Sequence, residues 1–501
     1  MPMMNGFVPK KIQPWIYVFF AFLFQLAGGM YAGAMLHVMG DMCIMREDVT
    51  MIVLCGVIGV NMPFPFLFRF KFRFTNRQLL ITAALAIAAC NWLCMYTESV
   101  PVLCLLSYVA GFFKLCGTFE CLSNVQLWMT SKRDFTIFFP LLYCIVVGNM
   151  SLSPWITVHL TYIFQSWYAM HWAMTGAMLF IAPMVYVLTH DFRFMKPLPL
   201  ISLDWLGCVL WSALLVEVVF LFNYGEYYNW WDGRPFRVVT FMVPVTFYFA
   251  LQRMRHIRHP YIAPEAWLYK RLLPLLAVFA LVELINSTPK ILQNTFTSGV
   301  LHFGAMSTSV FYLVEWAGTI CGCMFVMFWI KVLRQKFTRL LTVGLMSLLA
   351  YEVQMYLMIT PGLDIASFYL PIFCRTFGVA IFFTALTIYL EELMPFQHFF
   401  MGLTMVGFIR NGVVDTICSG IYSFSLRHHI AENFARAMPY DATQVILISL
   451  KQLFGVTCII ATVVLLIFLV WDIQPVRDTL KRMPYWSVVG RLLRRQMSSG
   501  K

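Results

Sequence analysis

Polar and charged side chains recur at helical spacing inside one long apolar stretch of the sequence. The residues follow one another at steps of four, three, four and three: Glu283, Ser287, Lys290, Asn294 and Thr297. Such steps place side chains along one face of a helix, and Pro289 predicts a kink in it. Interhelical hydrogen bonding is one interpretation of this face. We favour a cavity-lining helix, because a full charge of each sign is more than packing requires.

Other charged residues also lie inside apolar stretches, where each costs about 2.5–3.5 kcal/mol at the centre of a membrane helix. Such residues usually face protein or a water-filled cavity, so they are candidates for substrate binding or ion coupling. The candidate set is Lys114, Glu120, Glu283, Lys290, Asn294, Glu315, Arg375, Arg410 and Asp415. Glu217 and Glu352 also lie in predicted membrane spans.

Two of these carboxyl groups, Glu120 and Glu315, lie near the middle of their predicted spans. A carboxyl group held away from water keeps a proton more readily, so each is a candidate proton carrier. The alternative is a carboxylate permanently paired with a neighbour such as Lys114.

The composition indicates what kind of molecule positions these side chains. Of 501 residues, 60% are hydrophobic and only 12% are charged, against about 25% charged in a soluble domain. Apolar runs of about 20 residues are long enough to cross a bilayer. We therefore predict an all-α integral membrane protein with fourteen transmembrane helices, near 14–37, 49–68, 78–97, 101–129, 135–163, 167–189, 203–223, 236–253, 271–297, 303–330, 339–359, 366–390, 398–425 and 446–471.

The distribution of basic residues predicts the orientation. If the N-terminus is cytoplasmic, the inner segments hold most of the lysines and arginines, and the loop with Glu391 and Glu392 is the one exception. The outer loops hold only Arg46, Arg234, Arg237, Arg427 and Arg436. This bias predicts that both termini are cytoplasmic. The basic tail, 476–501, is expected to be solvated, with contact to anionic lipid as the alternative.

Several other classes of function are disfavoured. The net charge of +13 is spread in short clusters between apolar runs, so no nucleic acid is expected. The 14 cysteines lie almost all in apolar runs and predict neither disulfides nor zinc. The segment 37–45 mixes histidine, methionine and cysteine, which suit Cu(I), but ordinary packing is the preferred interpretation. No phosphate-binding glycine loop is present. We expect no metal and no cofactor.

Four stretches resemble the fourteen-helix drug:proton antiporters of the major facilitator superfamily, the EmrB/QacA-like exporters. The first is Leu203-Asp204-Trp205-Leu206-Gly207, followed by Gly225 and Trp230-Trp231. The second runs from Arg375 through Gly378 to Thr387, and the third from Phe408-Ile-Arg410 to Arg427-His428-His429. The fourth covers 148–155 with His171-Trp172. The sequence departs from the family where Ala27 and Ser107 stand for its usual Asp and Arg, so Lys114 and Glu120 are candidates to replace them.

The resemblance implies a specific architecture and function. It implies a major facilitator fold of two six-helix bundles, at 1–200 and 258–475, with an inserted helix pair at 201–257. Spans 1, 4, 9 and 12 would line the substrate cavity. The implied function is proton-driven export of amphipathic small organic molecules across the inner membrane, with a periplasmic adaptor as a further partner.

Two alternatives remain open. The first keeps the fold and changes the cargo to an anionic metabolite, siderophore or lipid, which Lys114, Lys290 and Arg375 would bind. The second is a membrane-embedded acyltransferase, for which His428 and His429 are the candidate residues. Adjacent histidines point to different faces of a helix, so we do not expect an enzyme.

Overall fold

The computed structural model describes residues 3–27, 30–129, 135–193, 199–200, 203–269, 271–333, 337–436 and 441–470. Thirteen helices in this part of the chain are long and apolar enough to cross a membrane. In chain order they are span 1 (Gln13–Met42), span 2 (Arg46–Arg73), span 3 (Asn76–Cys94), span 4 (Val100–Gln126), span 5 (Thr136–Phe164), span 6 (Tyr168–Leu188), span 7 (Trp205–Tyr224), span 8 (Arg234–His256), span 9 (Leu272–Val300), span 10 (Ala305–Leu333), span 11 (Arg339–Met358), span 12 (Ile365–Leu393) and span 14 (Ala442–Leu469).

The segment predicted as a crossing at 398–425 is helical but is not apolar throughout. It is an α-helix over Phe396–Phe408, a π-helical turn over Ile409–Val413 and an α-helix over Val414–Arg436. Only His398–Phe408 is apolar, because the second half contains Asp415, Arg427 and Arg436. We call this segment span 13. The predicted tail at 476–501 and the loop residues Lys132, Arg133 and Lys196 lie outside the described residues.

Short polar motifs fix where several helices begin. Thr75 caps span 3, because its hydroxyl accepts from Gln78 N while the Gln78 side chain accepts from Thr75 N, both at 3.2 Å. Asp204 caps span 7 by accepting from Gly207 N at 2.9 Å. Each cap satisfies a backbone donor that the first turn of a helix leaves free.

The spans form two six-helix bundles. In the first, spans 1, 2, 3 and 5 pack on span 4 or on each other, and span 6 packs on span 3. In the second, spans 9, 10, 11 and 13 pack on span 12, and span 14 packs on spans 11 and 13. Glycines allow the closest approaches. A Cβ at Gly111 in span 4 would lie 2.2 Å from the Gly56 carbonyl oxygen of span 2, so only glycine fits there.

The two bundles meet along several helix pairs, including span 5 with span 12. Span 5 packs along span 10, and span 2 meets span 13 where Asn61 donates to the Gly407 carbonyl oxygen at 3.4 Å. At one end of this interface, phenylalanine rings of both bundles are in contact: Phe68 and Phe119 of the first bundle lie 4.5 and 5.6 Å from Phe400 of the second. This end is the face that also holds residues 3–12 and the connection between spans 2 and 3. We call it the N-terminal face.

The inserted pair, spans 7 and 8, lies against both bundles. Asn223 and Tyr224 of span 7 bond to the Glu47 carbonyl oxygen and to Asp48 of span 2, at 2.7 and 2.5 Å. Trp211 of span 7 stacks on Phe408 of span 13 at 6.0 Å. The predicted motif around Asp204 therefore belongs to a helix that contacts both halves of the fold.

Large apolar side chains cover much of the outer surface. Val209 of span 7, Phe241 of span 8 and Ile459 of span 14 are 60%, 69% and 65% exposed. A water-soluble surface does not carry so many of them, whereas lipid accepts them freely. The exposed apolar belt and the thirteen apolar helices together define a multi-pass membrane protein.

Candidate functional site

Span 9 changes its winding in the middle of the predicted polar stripe. It is α-helical over Leu272–Asn286 and π-helical over Pro289–Gln293 and Thr295–Val300. Proline has no N–H and disturbs the α-helical hydrogen bonds around it, and π turns are often found at functional sites. The prediction that the polar residues share one face assumed a regular α-helix. It therefore applies only to the part of span 9 before Pro289.

The first half of the stripe faces span 13. Ser287 donates to Asp415 Oδ1 at 3.0 Å, and Lys290 forms an ion pair with the other oxygen of the same carboxylate. The Lys290 side chain remains 53% exposed, whereas Asp415 is 10% exposed. Because a charged side chain inside a span avoids lipid, its exposure indicates a water-accessible opening beside this ion pair.

A second group joins spans 9, 10 and 12 through Arg375. Its guanidinium donates to Asn286 Oδ1 at 3.1 Å and pairs with Glu315, while Asn286 donates to Glu283 at 3.1 Å. Arg375 Nε is buried and has no hydrogen-bond partner among the described residues. Glu315, predicted as a proton carrier, is thus paired with an arginine in this structure.

Arg410 has a different environment from Arg375. Its guanidinium lies 3.8 Å from the ring centroid of Phe383 in span 12 and 5.5 Å from that of Tyr143 in span 5. Stacking on aromatic rings suits a guanidinium group. Arg410 therefore lies at the interface between the two bundles, within the π turn of span 13.

Lys114 of span 4 is buried, at 5% exposure. It has no hydrogen bond or ion pair with any residue that the structure describes, and Glu120 is not its partner. One turn further along the same helix, Thr118 accepts a hydrogen bond from Gln25 of span 1 at 3.0 Å. Lys114 is therefore a cation within the first bundle, close to span 1, and no described residue supplies a countercharge in contact with it.

Glu120 belongs to a separate cluster near the N-terminal face. It lies within two turns of the end of span 4, not in its middle, and pairs with Lys71 at 3.3 Å. Asn124 donates to Glu120 and accepts from Lys71, each at 3.2 Å. Lys71 was predicted to lie in a loop, but span 2 continues through it to Arg73. The sequence analysis therefore missed this partner.

Two further residues differ from the predicted set. The Asn294 side chain is exposed and, among the described residues, bonds only to Ser298 of its own helix, at 3.3 Å. Gln293 instead turns inward and accepts from Tyr351 at 2.9 Å. Glu352, which was not in the predicted set, is fully buried and accepts from Thr288 and Thr457 at 2.8 and 2.7 Å.

A cavity of about 600 Å³ opens elsewhere, at the N-terminal face. Arginines of spans 2 and 8 and the linker between spans 8 and 9 line it. None of the nine predicted site residues is part of its lining. The buried charges described above therefore form a site distinct from this cavity.

Comparison of the structure with solved structures identifies the fold. An auto-inhibited POT family peptide transporter matches with a TM-score of 0.58 and 14% identity, covering 93% of this chain and 98% of that one. A POT peptide transporter in complex with alafosfalin matches with a TM-score of 0.60 and 13% identity, covering 93% and 96%. The human organic anion transporter MFSD10 matches with a TM-score of 0.51 and 10% identity, covering 91% and 100%.

These likenesses establish the architecture. The chain has the fold of the major facilitator transporters, as the sequence analysis predicted. No protein-family model matches the sequence, and no curated protein matches it either. The narrower resemblance to fourteen-helix drug:proton antiporters therefore stays a prediction.

Proposed function

We propose that this protein is a secondary transporter for small organic solutes that carry an anionic group, and that Lys114 and Arg375 bind that group. The observation that carries the proposal is Lys114, a buried cation without a countercharge among the described residues. Removing a charge from water is costly unless an opposite charge or hydrogen-bond partners replace the water. A substrate carboxylate or phosphonate would supply them.

Arg375 supports the same interpretation from the second bundle. Two of its guanidinium nitrogens are occupied by Asn286 and Glu315, while Nε is buried and has no partner in the described part of the chain. Arginine binds carboxylates and phosphates through paired N–H groups. Peptides and organic anions, which the structural neighbours are named for, carry such groups.

Alternating access would follow from the way the bundles meet. The phenylalanine contacts around Phe400 close the N-terminal face, while Lys290 is exposed towards the opposite face. Transporters of this kind bind substrate between two bundles near the membrane midplane and open to each side in turn. Breaking the phenylalanine contacts would open the N-terminal face.

Coupling to protons is the second part of the proposal, with Glu283 as the carrier. Its carboxyl group is 2% exposed and bonds to Asn286, with no ion pair among the described residues. Asn286 also accepts a hydrogen bond from Arg375, so two successive hydrogen bonds link Glu283 to Arg375. Protonation of Glu283 would therefore alter the group that binds the substrate.

Substrate binding by the purified full-length protein is the decisive experiment. Thermal shift with panels of anionic, zwitterionic and cationic solutes should identify anionic or zwitterionic ligands. Lys114→Gln should weaken their binding by roughly 10- to 100-fold, the usual range for one hydrogen bond to a charged group. The matched control is Lys451→Gln on span 14, where the lysine is exposed. Binding of cations alone, or equal binding by wild type and Lys114→Gln, would overturn the proposal.

Multidrug export remains the other candidate, and a cellular assay separates the two. Cationic dye accumulation is measured in efflux-deficient cells that express the protein, with and without a protonophore. A fall in accumulation that the protonophore reverses would favour proton-driven drug export. Unchanged accumulation of every cationic dye tested would favour the anion transporter.

A further inference from the structure

The cavity at the N-terminal face is lined by basic side chains. Its walls include Arg69 at the end of span 2 and Arg255, Arg258 and His259 at and after the end of span 8. Arg255 and Arg258 are exposed at its rim, and neither has a hydrogen bond or ion pair within the described part of the chain. The cavity therefore presents two guanidinium groups, those of Arg255 and Arg258, that no described residue neutralises.

The carboxylates at this cavity are already engaged. Asp204 is buried, pairs with Arg253 at 2.6 Å and accepts from the backbone N–H groups of Gly207 and Tyr261 at 2.9 and 3.1 Å. Glu265 lies 3.7 Å from His398. Neither acidic group is paired with Arg255 or Arg258, so the cavity keeps a net positive charge.

The floor of the cavity is held in place by contacts of Tyr261 with span 2. Tyr261 is 2% exposed, and its hydroxyl donates to the Met62 carbonyl oxygen at 2.8 Å. Its ring packs edge-on against Phe66 at 5.4 Å. The site is therefore preformed, which limits the conformational cost of binding a ligand.

The surroundings of the cavity suit a lipid. It lies at the ends of spans 7 and 8, at the level where a membrane helix meets the headgroups. One or two turns into these helices, Leu206, Val209 and Phe249 are 52%, 60% and 54% exposed, as acyl chains would require. The charge bias of the sequence predicts that this face is cytoplasmic, and basic pockets between helices on that side can bind anionic headgroups.

We propose that this cavity binds the phosphate group of an anionic phospholipid, held by Arg255 and Arg258, with its acyl chains along the outer surfaces of spans 7 and 8. Arginine suits a phosphate because its planar guanidinium donates two parallel hydrogen bonds. The bound lipid would join the inserted pair to the start of span 13, since His398 and Met401 also line the cavity.

The test is native mass spectrometry of the full-length protein in detergent, titrated with phosphatidylglycerol or phosphatidylcholine. Wild type should retain phosphatidylglycerol in preference to phosphatidylcholine. The variant Arg255→Gln/Arg258→Gln should weaken that binding, roughly fivefold for each arginine removed. The control Arg234→Gln/Arg237→Gln removes two exposed arginines from the opposite end of span 8 and should leave the preference unchanged.

Two results would overturn the proposal. One is equal retention of phosphatidylglycerol by wild type and Arg255→Gln/Arg258→Gln, with gel filtration showing both to be folded. The other is a rise in Tm with inorganic phosphate, lost in the same variant, without any preference for phosphatidylglycerol. That result would assign the cavity to a soluble phosphate instead of a lipid.

Discussion

The hydroxyl groups of Tyr143 and Thr387 share a hydrogen bond of 2.6 Å across the interface between the two bundles. Tyr143 belongs to span 5 of the first bundle and Thr387 to span 12 of the second. Arg410 lies over the same tyrosine ring, 5.5 Å from its centroid. In the proposed transport cycle the bundles would separate here, in direct contact with Arg410.

A disulfide at this interface should stop transport. The thiols of Cys144 in span 5 and Cys323 in span 10 lie close to each other on opposite sides of it. Oxidation by copper phenanthroline would form a disulfide between them and hold the bundles together. We expect solute uptake into proteoliposomes to stop and a thiol reductant to restore it.

The chain contains a matched control for this cross-link. The thiols of Cys55 and Cys104 also lie close to each other, but both belong to the first bundle. In a Cys144→Ser variant the oxidant can still join Cys55 and Cys104, which leaves the bundles free to move. Equal inhibition of wild type and Cys144→Ser would show that Cys144 and Cys323 do not report movement between the bundles.

Glu283→Gln should uncouple transport from protons without preventing substrate exchange. The amide is close in size to the carboxyl group but cannot release a proton. In proteoliposomes, accumulation driven by a pH gradient should be lost, while exchange of internal for external solute continues. Glu352→Gln is the matched control, since this glutamate is equally buried but bonds to two threonines. Gradient-driven accumulation by Glu283→Gln would exclude Glu283 as the carrier.

Glu120→Gln should affect stability more than coupling. The change leaves the Lys71 ammonium buried without its carboxylate, which typically costs about 3–5 kcal/mol. We expect a lower Tm in detergent and less protein in the membrane. Lys71→Met/Glu120→Gln removes both charges and should recover part of the lost Tm. A normal Tm for Glu120→Gln combined with lost coupling would instead support Glu120 as a proton carrier, the role predicted from the sequence.

Arg375→Lys should reduce transport although the charge is kept. A lysine ammonium cannot reach Asn286 and Glu315 with the geometry of the guanidinium fork. Loss of one hydrogen bond to a charged group predicts an initial rate lower by roughly tenfold or more. The control is Arg427→Lys, because Arg427 pairs with Glu226 while 68% exposed and such pairs contribute little. Equal rates in the two variants would remove Arg375 from the site.

The sequence was sufficient to predict most of the helices because a bilayer requires long apolar runs. Thirteen predicted crossings correspond to apolar helices in the structure. Span 13 is the one predicted crossing that is apolar only in its first half. Arg410 and Asp415 reduce its hydropathy, and its π turn contains Arg410 and ends two residues before Asp415. The same residues that make it a candidate functional element make it a poor apolar span.

The partners of the charged residues were not predictable from the sequence. Lys114 was the partner named in the alternative interpretation of Glu120, but Glu120 pairs with Lys71, which is 49 positions away in the sequence. The pairing depends on where span 2 ends, and helix ends are the least certain feature of a sequence-based prediction. The Asn294 assignment depended on the α-helical period, which span 9 abandons after Pro289.

The two partners of the Lys290–Asp415 ion pair both lie at π turns of their helices. Both residues lie in or directly beside a turn that contains an extra residue, Pro289–Gln293 in one helix and Ile409–Val413 in the other. If the π turn shifted along its helix to the other side of Lys290 or of Asp415, that side chain would rotate by about 100° around the helix axis. The backbone could then make or break this ion pair by redistributing its winding, with both helices remaining fully hydrogen-bonded.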